Sequence, residues 1–207
     1  MKHNGESRPA KRERSAAYDR RAARRFVCAL VFALSTAGVT FAADDPRDAI
    51  AKGNAAFDAG RYREALEAYA GVDENADPDL LPELLNNRAA AHFKLGAYDD
   101  ARELWVRAAP LRDAAFEALA RYNIGNCHYA EALQAVRPPD ARDSSSAMAS
   151  PDDATDVSGA LERLDHAIES YREALRLDPS LTDARANLEL AAQLKKRIEE
   201  QAQKQPQ

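Results

Sequence analysis

The stretch that decides the fold runs from Lys52 to Ala65 and reads KGNAAFDAGRYREA. A second stretch, from Arg88 to Ala101, reads RAAAHFKLGAYDDA and aligns with the first, and a third, IGNCHYAE, begins at Ile124. Equivalent positions lie 36 residues apart: small residues stand at 53, 89 and 125, and aromatic residues at 57, 93 and 129. A fixed period of this length is the signature of a protein built from stacked helical repeats.

Each stretch continues into a second amphipathic segment. Small and aromatic residues recur there at spacings of four and then three, which places them on one stripe of a helix. These sets are Ala65, Tyr69 and Val72; Ala101, Trp105 and Ala108; and Ala167, Tyr171 and Ala174. We interpret the small residues as points where the two helices of a pair approach closely, and the aromatic residues as filling the space between one pair and the next. Gly60 and Gly96 are predicted to end the first helix of their pairs.

This pattern resembles the tetratricopeptide repeat (TPR), a helix–turn–helix motif with small, aromatic and proline residues at fixed offsets. The resemblance covers Pro46 to about Ala192 and is closest in RYNIGN (121–126) and YREALRLDP (171–179). It implies an all-α TPR solenoid over residues 46–194, with about three repeats and a C-terminal capping helix that starts near Leu181.

Two segments depart from the repeat. Residues 135–157 separate the two helices of the third repeat and contain Pro138-Pro139 and a run of serines with almost no large apolar residue. We expect this insertion to be a disordered surface loop. Residues 195–207 are polar apart from Ile198 and Ala202 and are predicted to be a fraying C-terminal tail.

Residues 1–42 have the pattern of a signal peptide. They hold nine of the 29 Lys and Arg residues, followed by the apolar run from Phe26 to Val39 and small residues before Asp44. This order favours cleavage after Ala42 and export to the periplasm or cell envelope of a bacterium. The alternative is an uncleaved signal anchor, which would be the chain's only contact with the membrane.

Charge and residue types exclude several classes of function. The chain after residue 42 carries a net charge of −11, which disfavours nucleic-acid binding. Cys127 has no second cysteine to pair with once Cys28 is removed with the signal, and we interpret His92 and His128 as packing residues. The sequence shows no catalytic constellation, metal-ligand spacing or phosphate-binding loop. We therefore expect a protein that is not an enzyme and has no cofactor, metal or small-molecule substrate.

The resemblance also implies a binding surface, because TPR solenoids bind along the face lined by the first helix of each pair. By position in the motif this groove is predicted to contain Ile50, Asn54, Phe57, Asn86, Phe93, Lys94, Tyr122, Asn126 and Tyr129. Phe57, Phe93 and Tyr129 would form a ladder along it, unless they pack between the first helices. Asn side chains both donate and accept hydrogen bonds, so they suit an extended peptide backbone.

TPR domains that hold a C-terminal carboxylate share a five-residue clamp of Lys, Asn and Arg. This chain matches the clamp at Asn54 and Asn87, but Ile50, Leu119 and Asn123 stand where its basic members should be. Binding of a chaperone tail is therefore not expected.

The sequence thus predicts an exported adaptor that docks a peptide or protein partner in its concave groove. The chain further resembles small exported TPR proteins of aerotolerance-type operons, which implies a von Willebrand A-domain membrane protein as partner. The alternative is a structural or assembly subunit of a cell-envelope complex.

Overall fold

The computed structural model describes residues 45–137 and 156–204, which form seven α-helices, one short 3-10 helix and, within those ranges, no strand. The helices are α1 (Pro46–Asp58), α2 (Tyr62–Ala70), α3 (Leu81–Lys94), α4 (Tyr98–Ala108), α5 (Ala114–Ala135), α6 (Val157–Leu177) and α7 (Thr182–Lys204), and the 3-10 helix (Ala109–Leu111) follows α4. The predicted signal segment, 1–42, lies outside the described residues, and so does most of the predicted insertion.

Local sequence sets the helix ends. The Asp45 side chain caps α1 by accepting a hydrogen bond from the Arg47 amide at 2.9 Å. Pro46 occupies the first turn, where its fixed φ already has the helical value. Gly60 and Gly96 have φ of 75° and 78°, a left-handed conformation that side chains disfavour. They follow α1 and α3 in the same way, which confirms the predicted end of the first helix in both pairs.

The core consists of three apolar clusters in succession along the chain. The first joins α1 and α2 to Leu84 of α3, the second joins α3 and α4 to Ile124 and Cys127 of α5, and the third joins α5, α6 and α7. Each pair therefore buries its apolar stripes against its own partner and the next helix, which is how a solenoid is stabilised. The all-α solenoid prediction is confirmed.

The third pair is longer than the first two. Helix α5 has 22 residues and α6 has 21, whereas α2 and α4 have 9 and 11. Val136 and Val157 pack against the third cluster, because they continue the apolar faces of α5 and α6. Both flanks of the predicted insertion thus belong to the fold, and residues 138–155 lie outside the described residues.

The prediction of a fraying tail from residue 195 was wrong as far as Lys204, where α7 ends. Ile198 is 6% exposed in the third cluster, and Lys195 Nζ lies 2.5 Å from Asp165 Oδ1 of α6. Residues 205–207 are outside the described part. Over the described helices, none is both long and apolar enough to span a membrane.

Candidate peptide-binding face

The first helices bring most of the predicted groove residues into half-buried positions. Asn54, Asn86, Tyr122 and Asn126 are partly exposed, and Lys94 is exposed. Ile50 is different: it is 4% exposed and belongs to the first cluster, beside Leu84. The assignment of Ile50 to the groove was wrong, because at this position α1 turns its apolar stripe toward α3.

The three aromatic residues of the predicted ladder are half-buried, and each packs in a different cluster. The Phe57 ring lies 5.2 Å from that of Tyr62, in an edge-to-face arrangement. The Phe93 ring lies 5.4 Å from that of Tyr98 and 6.1 Å from that of Trp105. These rings close the hairpin turns of their own repeats, so their first contribution is to the fold.

A network of asparagine side chains lies beside these rings in the first two repeats. Asn54 Oδ1 accepts hydrogen bonds from the Tyr69 hydroxyl at 2.7 Å and from Asn87 Nδ2 at 2.9 Å. Asn86 Nδ2 donates to Asn87 Oδ1 at 3.3 Å, and Asn86 Oδ1 accepts from Trp105 Nε1 at 3.0 Å. The chain of bonds connects α1, α2, α3 and α4.

The same arrangement recurs where the third repeat meets the capping helix. Asn126 Oδ1 accepts from the Tyr171 hydroxyl and from Asn187 Nδ2, both at 2.9 Å. Asn126 Nδ2 donates to Asn123 Oδ1 at 3.4 Å, and Asn187 Nδ2 also lies 3.4 Å from the Tyr122 hydroxyl oxygen. We call the six half-buried asparagines of the two networks the amide face. They are Asn54, Asn86, Asn87, Asn123, Asn126 and Asn187.

The tyrosines that support this face are buried against glycine. Tyr69 is 1% exposed and Tyr171 is fully buried. A Cβ on Gly125 would lie 2.6 Å from Cε1 of Tyr171, and one on Gly53 would overlap the Tyr69 ring in the same way. The glycines therefore make room for the ring of their own pair, rather than for the other helix directly as predicted.

The environment of both hydroxyls keeps them protonated and able to donate. Burial, with smaller contributions from Asp58 and Glu83, raises the pKa of Tyr69 to about 12. Burial also raises the pKa of Tyr171, in the presence of Tyr122 and despite the hydrogen bond from Asn187. A neutral phenol can donate a hydrogen bond to its asparagine over the whole physiological pH range.

Sequence reasoning left Asn123 and Asn187 out of the predicted groove and used Asn87 only in the comparison with the carboxylate clamp. The signal that could have found two of them is the 36-residue period, since Asn87 and Asn123 are equivalent positions. Asn187 had no such signal, because the long third pair breaks the period before α7.

Other polar groups of the domain serve the packing of the helices. The Glu131 carboxylate of α5 accepts a hydrogen bond from the Arg102 guanidinium of α4 at 2.5 Å, and His128 Nδ1 lies 3.7 Å from the same carboxylate. Burial alone would raise the pKa of Glu131, but the hydrogen bonds and charges of His128 and Arg102 outweigh it and hold this pKa below its ordinary value.

Reactive groups are sparse in the described part of the chain. Burial raises the pKa of the Cys127 thiol to about 12, against the opposing charge of Arg102, so the thiolate nucleophile is scarce at neutral pH. Within residues 45–137 and 156–204 no group of three or more His, Cys, Asp and Glu side chains is placed to hold a metal ion. The geometry of the amide face can bind but offers no reacting group.

Stacked helix–turn–helix pairs, small–aromatic contacts within each pair and a closing helix define the described part of the chain as a helical repeat solenoid. Comparison with known proteins assigns the repeat: residues 156–181 match the family model of the tetratricopeptide repeat. No curated protein matches the sequence significantly.

Solved structures of similar fold are TPR domains. The first TPR domain of Spaghetti (RPAP3), bound to the HSP90 peptide SRMEEVD, is 24% identical over 76% of this chain and 98% of that chain, with a TM-score of 0.50. The first TPR domain of human RPAP3 is 24% identical over 75% of this chain and 95% of that chain, with a TM-score of 0.52. The helical part of this protein therefore has the fold of a TPR solenoid, and residues 156–181 match the repeat itself; neither comparison indicates an enzyme family.

Proposed function

We propose that the protein is a non-enzymatic adaptor that binds an extended segment of a protein partner along the amide face. The observation that carries this proposal is the pair of asparagine networks at Asn54 and Asn126. Both are half-buried, lie on first helices and rest on buried tyrosines, so their geometry is rigid while their outer edges stay within reach of a ligand. Rigid, amphipathic surfaces of this kind bind with little loss of conformational entropy.

The solved TPR domains support the mode of binding. The RPAP3 domain bound to an HSP90 peptide is an example of this fold holding a short peptide. That peptide, SRMEEVD, is acidic at its end, whereas the amide face consists of neutral side chains. We therefore expect the partner segment to differ from a chaperone tail in its chemistry.

The proposal extends to the location of the protein in the cell and to the class of its partner. The signal pattern of residues 1–42 supports export to a bacterial periplasm or cell envelope. A von Willebrand A-domain membrane protein is the first partner to test, on the resemblance to small exported TPR proteins.

A matched pair of substitutions tests the binding face. Ala90 lies one turn after Asn86 and Asn87 on α3 and is half-buried, whereas Val106 of α4 is 57% exposed on a second helix. Ala90→Arg should block the face, and Val106→Arg introduces the same residue elsewhere. Protein purified with its partner from solubilised membranes should keep that partner as wild type and as Val106→Arg, and lose it as Ala90→Arg.

Thermal unfolding of the three proteins should differ by only a few degrees, which separates loss of binding from loss of fold. Equal recovery of the partner by the folded Ala90→Arg variant would show that the face is not used.

A further inference from the structure

The third repeat has charged residues at two positions where the second repeat has leucine. Glu117 and Arg121 on α5 lie 36 residues after two leucines of α3, so the period makes the positions equivalent. Leu85 is 1% exposed in the second cluster, and Leu81 packs against the same cluster. Glu117 and Arg121 are half-buried and belong to none of the three clusters. Apolar packing therefore closes this place in the second repeat, whereas charged side chains line it in the third.

A cleft of about 290 Å³ lies beside these charged residues, between the start of α5 and the end of α6. The residues that line this α5–α6 cleft are Glu117, Arg121, Glu173, Arg176 and Leu177. Sites for cofactors and drug-sized molecules have volumes of roughly 300–1,000 Å³. The cleft lies at the lower end of that range, so its size suits one large side chain of another protein.

Two carboxylates from different helices hold the Arg121 guanidinium by its edges. One terminal nitrogen lies 3.3 Å from Oε1 of Glu117, and the other lies 3.3 Å from Oε2 of Glu173. The N–H groups of a guanidinium point outward in its plane. Ion pairs made through these groups engage the edges of the plane, so its faces stay available for stacking.

The charges that line the cleft cancel. Glu173 also pairs with Arg176 at 3.9 Å, so two carboxylates and two guanidinium groups form one connected network. An anion would meet both carboxylates there, and a cation would meet both guanidinium groups. Leu177, which is 39% exposed, supplies an apolar contact. A neutral ligand with a flat apolar ring matches this lining, because aromatic rings stack on guanidinium planes and pack against aliphatic side chains.

The cleft and the amide face lie on different sides of α5. Arg121 precedes Asn126 by five residues and Glu117 precedes it by nine. With 3.6 residues per turn, the two charged residues point about 140° and about 180° away from Asn126 around the helix. A ligand in the cleft would therefore leave the amide face open.

We propose that the α5–α6 cleft binds an aromatic side chain of a protein partner, which stacks on Arg121 and packs against Leu177. The TPR motif has tryptophan four residues before the small residue that is Gly125 here, which is the position of Arg121. The fold thus accommodates an aromatic ring at this place, and in this chain a partner supplies it. Aromatic side chains contribute a large share of the binding energy of protein interfaces, so a single ring gives the partner a second contact outside the amide face.

Three blocked amino acids serve as probes of the cleft. They are N-acetyl-tryptophan amide, N-acetyl-leucine amide and N-acetyl-aspartic acid α-amide, which present an aromatic, an aliphatic and an anionic side chain. Each is titrated into isotopically labelled protein while the Leu177 methyl and Arg121 Nε–H resonances are followed by NMR. We expect the tryptophan derivative to shift both resonances and to bind at least about threefold more tightly than the other two.

Matched substitutions test the stacking contact. Arg121→Lys keeps the positive charge but removes the flat guanidinium, so the affinity for the tryptophan derivative should fall about threefold, as the Leu177 methyl reports. Arg172→Lys is the control, because Arg172 is exposed on α6 and does not line the cleft. Arg121→Trp places the ring of the chain itself in the cleft. This variant should lose probe binding while its melting temperature stays at or above that of the wild type.

The outcomes separate the cleft from the proposed adaptor function, because the probes require no partner. Resonances that do not respond to the tryptophan derivative would overturn the inference, and so would equal affinity in Arg121→Lys. Tighter binding of the leucine or aspartate derivative would overturn the assignment to an aromatic ring. Partner recovery from solubilised membranes should fall in Arg121→Trp and not in Arg172→Trp. Equal recovery in both would show that the partner does not use the cleft, whatever the amide face does.

Discussion

Residue by residue, the repeat depends on matched pairs of glycine and tyrosine. Gly53 lies under the Tyr69 ring and Gly125 under the Tyr171 ring, while the hydroxyl of each tyrosine reaches the asparagine that follows the glycine. Glycine leaves the space that the tyrosine ring fills, and the hydroxyl of the same ring hydrogen-bonds to the amide face. The packing and the proposed binding face therefore depend on the same few positions.

This pairing predicts that Gly125→Ala destabilises the domain. The new Cβ would meet Tyr171 at 2.6 Å, and Tyr171 is fully buried and cannot move aside cheaply. Overpacking of this kind costs about 1–3 kcal/mol, which urea unfolding would measure. Gly71→Ala is the control, because its Cβ would find only the Ala68 carbonyl oxygen at 3.5 Å. A stable Gly125→Ala protein would mean that the ring and helix separate readily.

At the scale of elements, the Glu74 carboxylate holds the loop between the first two repeats in place through two ion pairs. Glu74 binds Arg88 of α3 at 2.6 Å and also pairs with Arg107 of α4. Burial tends to raise the pKa of Glu74, but the hydrogen bonds and charges of Arg107 and Arg88 prevail and lower this pKa below its ordinary value. The loop between α2 and α3 is thereby fastened to the second pair.

The sign of the resulting pH dependence follows from the lowered pKa. Stability from Glu74 is present above the unfolded-state pKa and is lost as the pH falls through the folded-state value. Glu74→Gln should therefore reduce the free energy of unfolding at pH 7, by less than about 1 kcal/mol because the group is partly exposed. The difference from wild type should vanish in acid. Urea unfolding of both proteins across pH would check this, and a difference that grows on acidification would contradict it.

Helix α7 is a second element whose contribution can be measured. Ile198 packs against α6 in the third cluster, whereas Glu200 is exposed. Ile198→Ala should cost about 2–5 kcal/mol, the range for truncating a buried aliphatic residue. Glu200→Ala should change the stability by no more than about 0.5 kcal/mol. If both variants unfold alike, the end of α7 does not pack as the structure has it.

For the whole molecule, we propose separate tasks for the folded domain and the N-terminal segment. The domain is proposed to bind the partner, and residues 1–42 are predicted to direct export. Protein extracted from the cell envelope should begin at Ala43 in N-terminal sequencing. An uncleaved anchor would instead leave Met1 in the membrane fraction, and full-length protein in the soluble cytosol would contradict export altogether.

The sequence by itself determined the number of repeats, the turns at Gly60 and Gly96 and the start of the closing helix near Thr182. These features depend on contacts between near neighbours in the chain or on a single backbone conformation, and both leave a periodic mark in the residue types. Phe57 and Phe93 were likewise placed correctly on first helices, since the period alone identifies the position.

Only the tertiary structure decided how distant side chains meet. It buried Ile50 against α3, extended α7 over the long third pair through Ile198 and joined Trp105, Asn86, Asn87 and Asn54 into one directional network. The period shows that an asparagine recurs, but not which atom of its carboxamide faces outward. The orientation of the carboxamide depends on donor-only and acceptor groups from three helices. These groups are distant in the chain, so no local sequence pattern predicts that they are in contact.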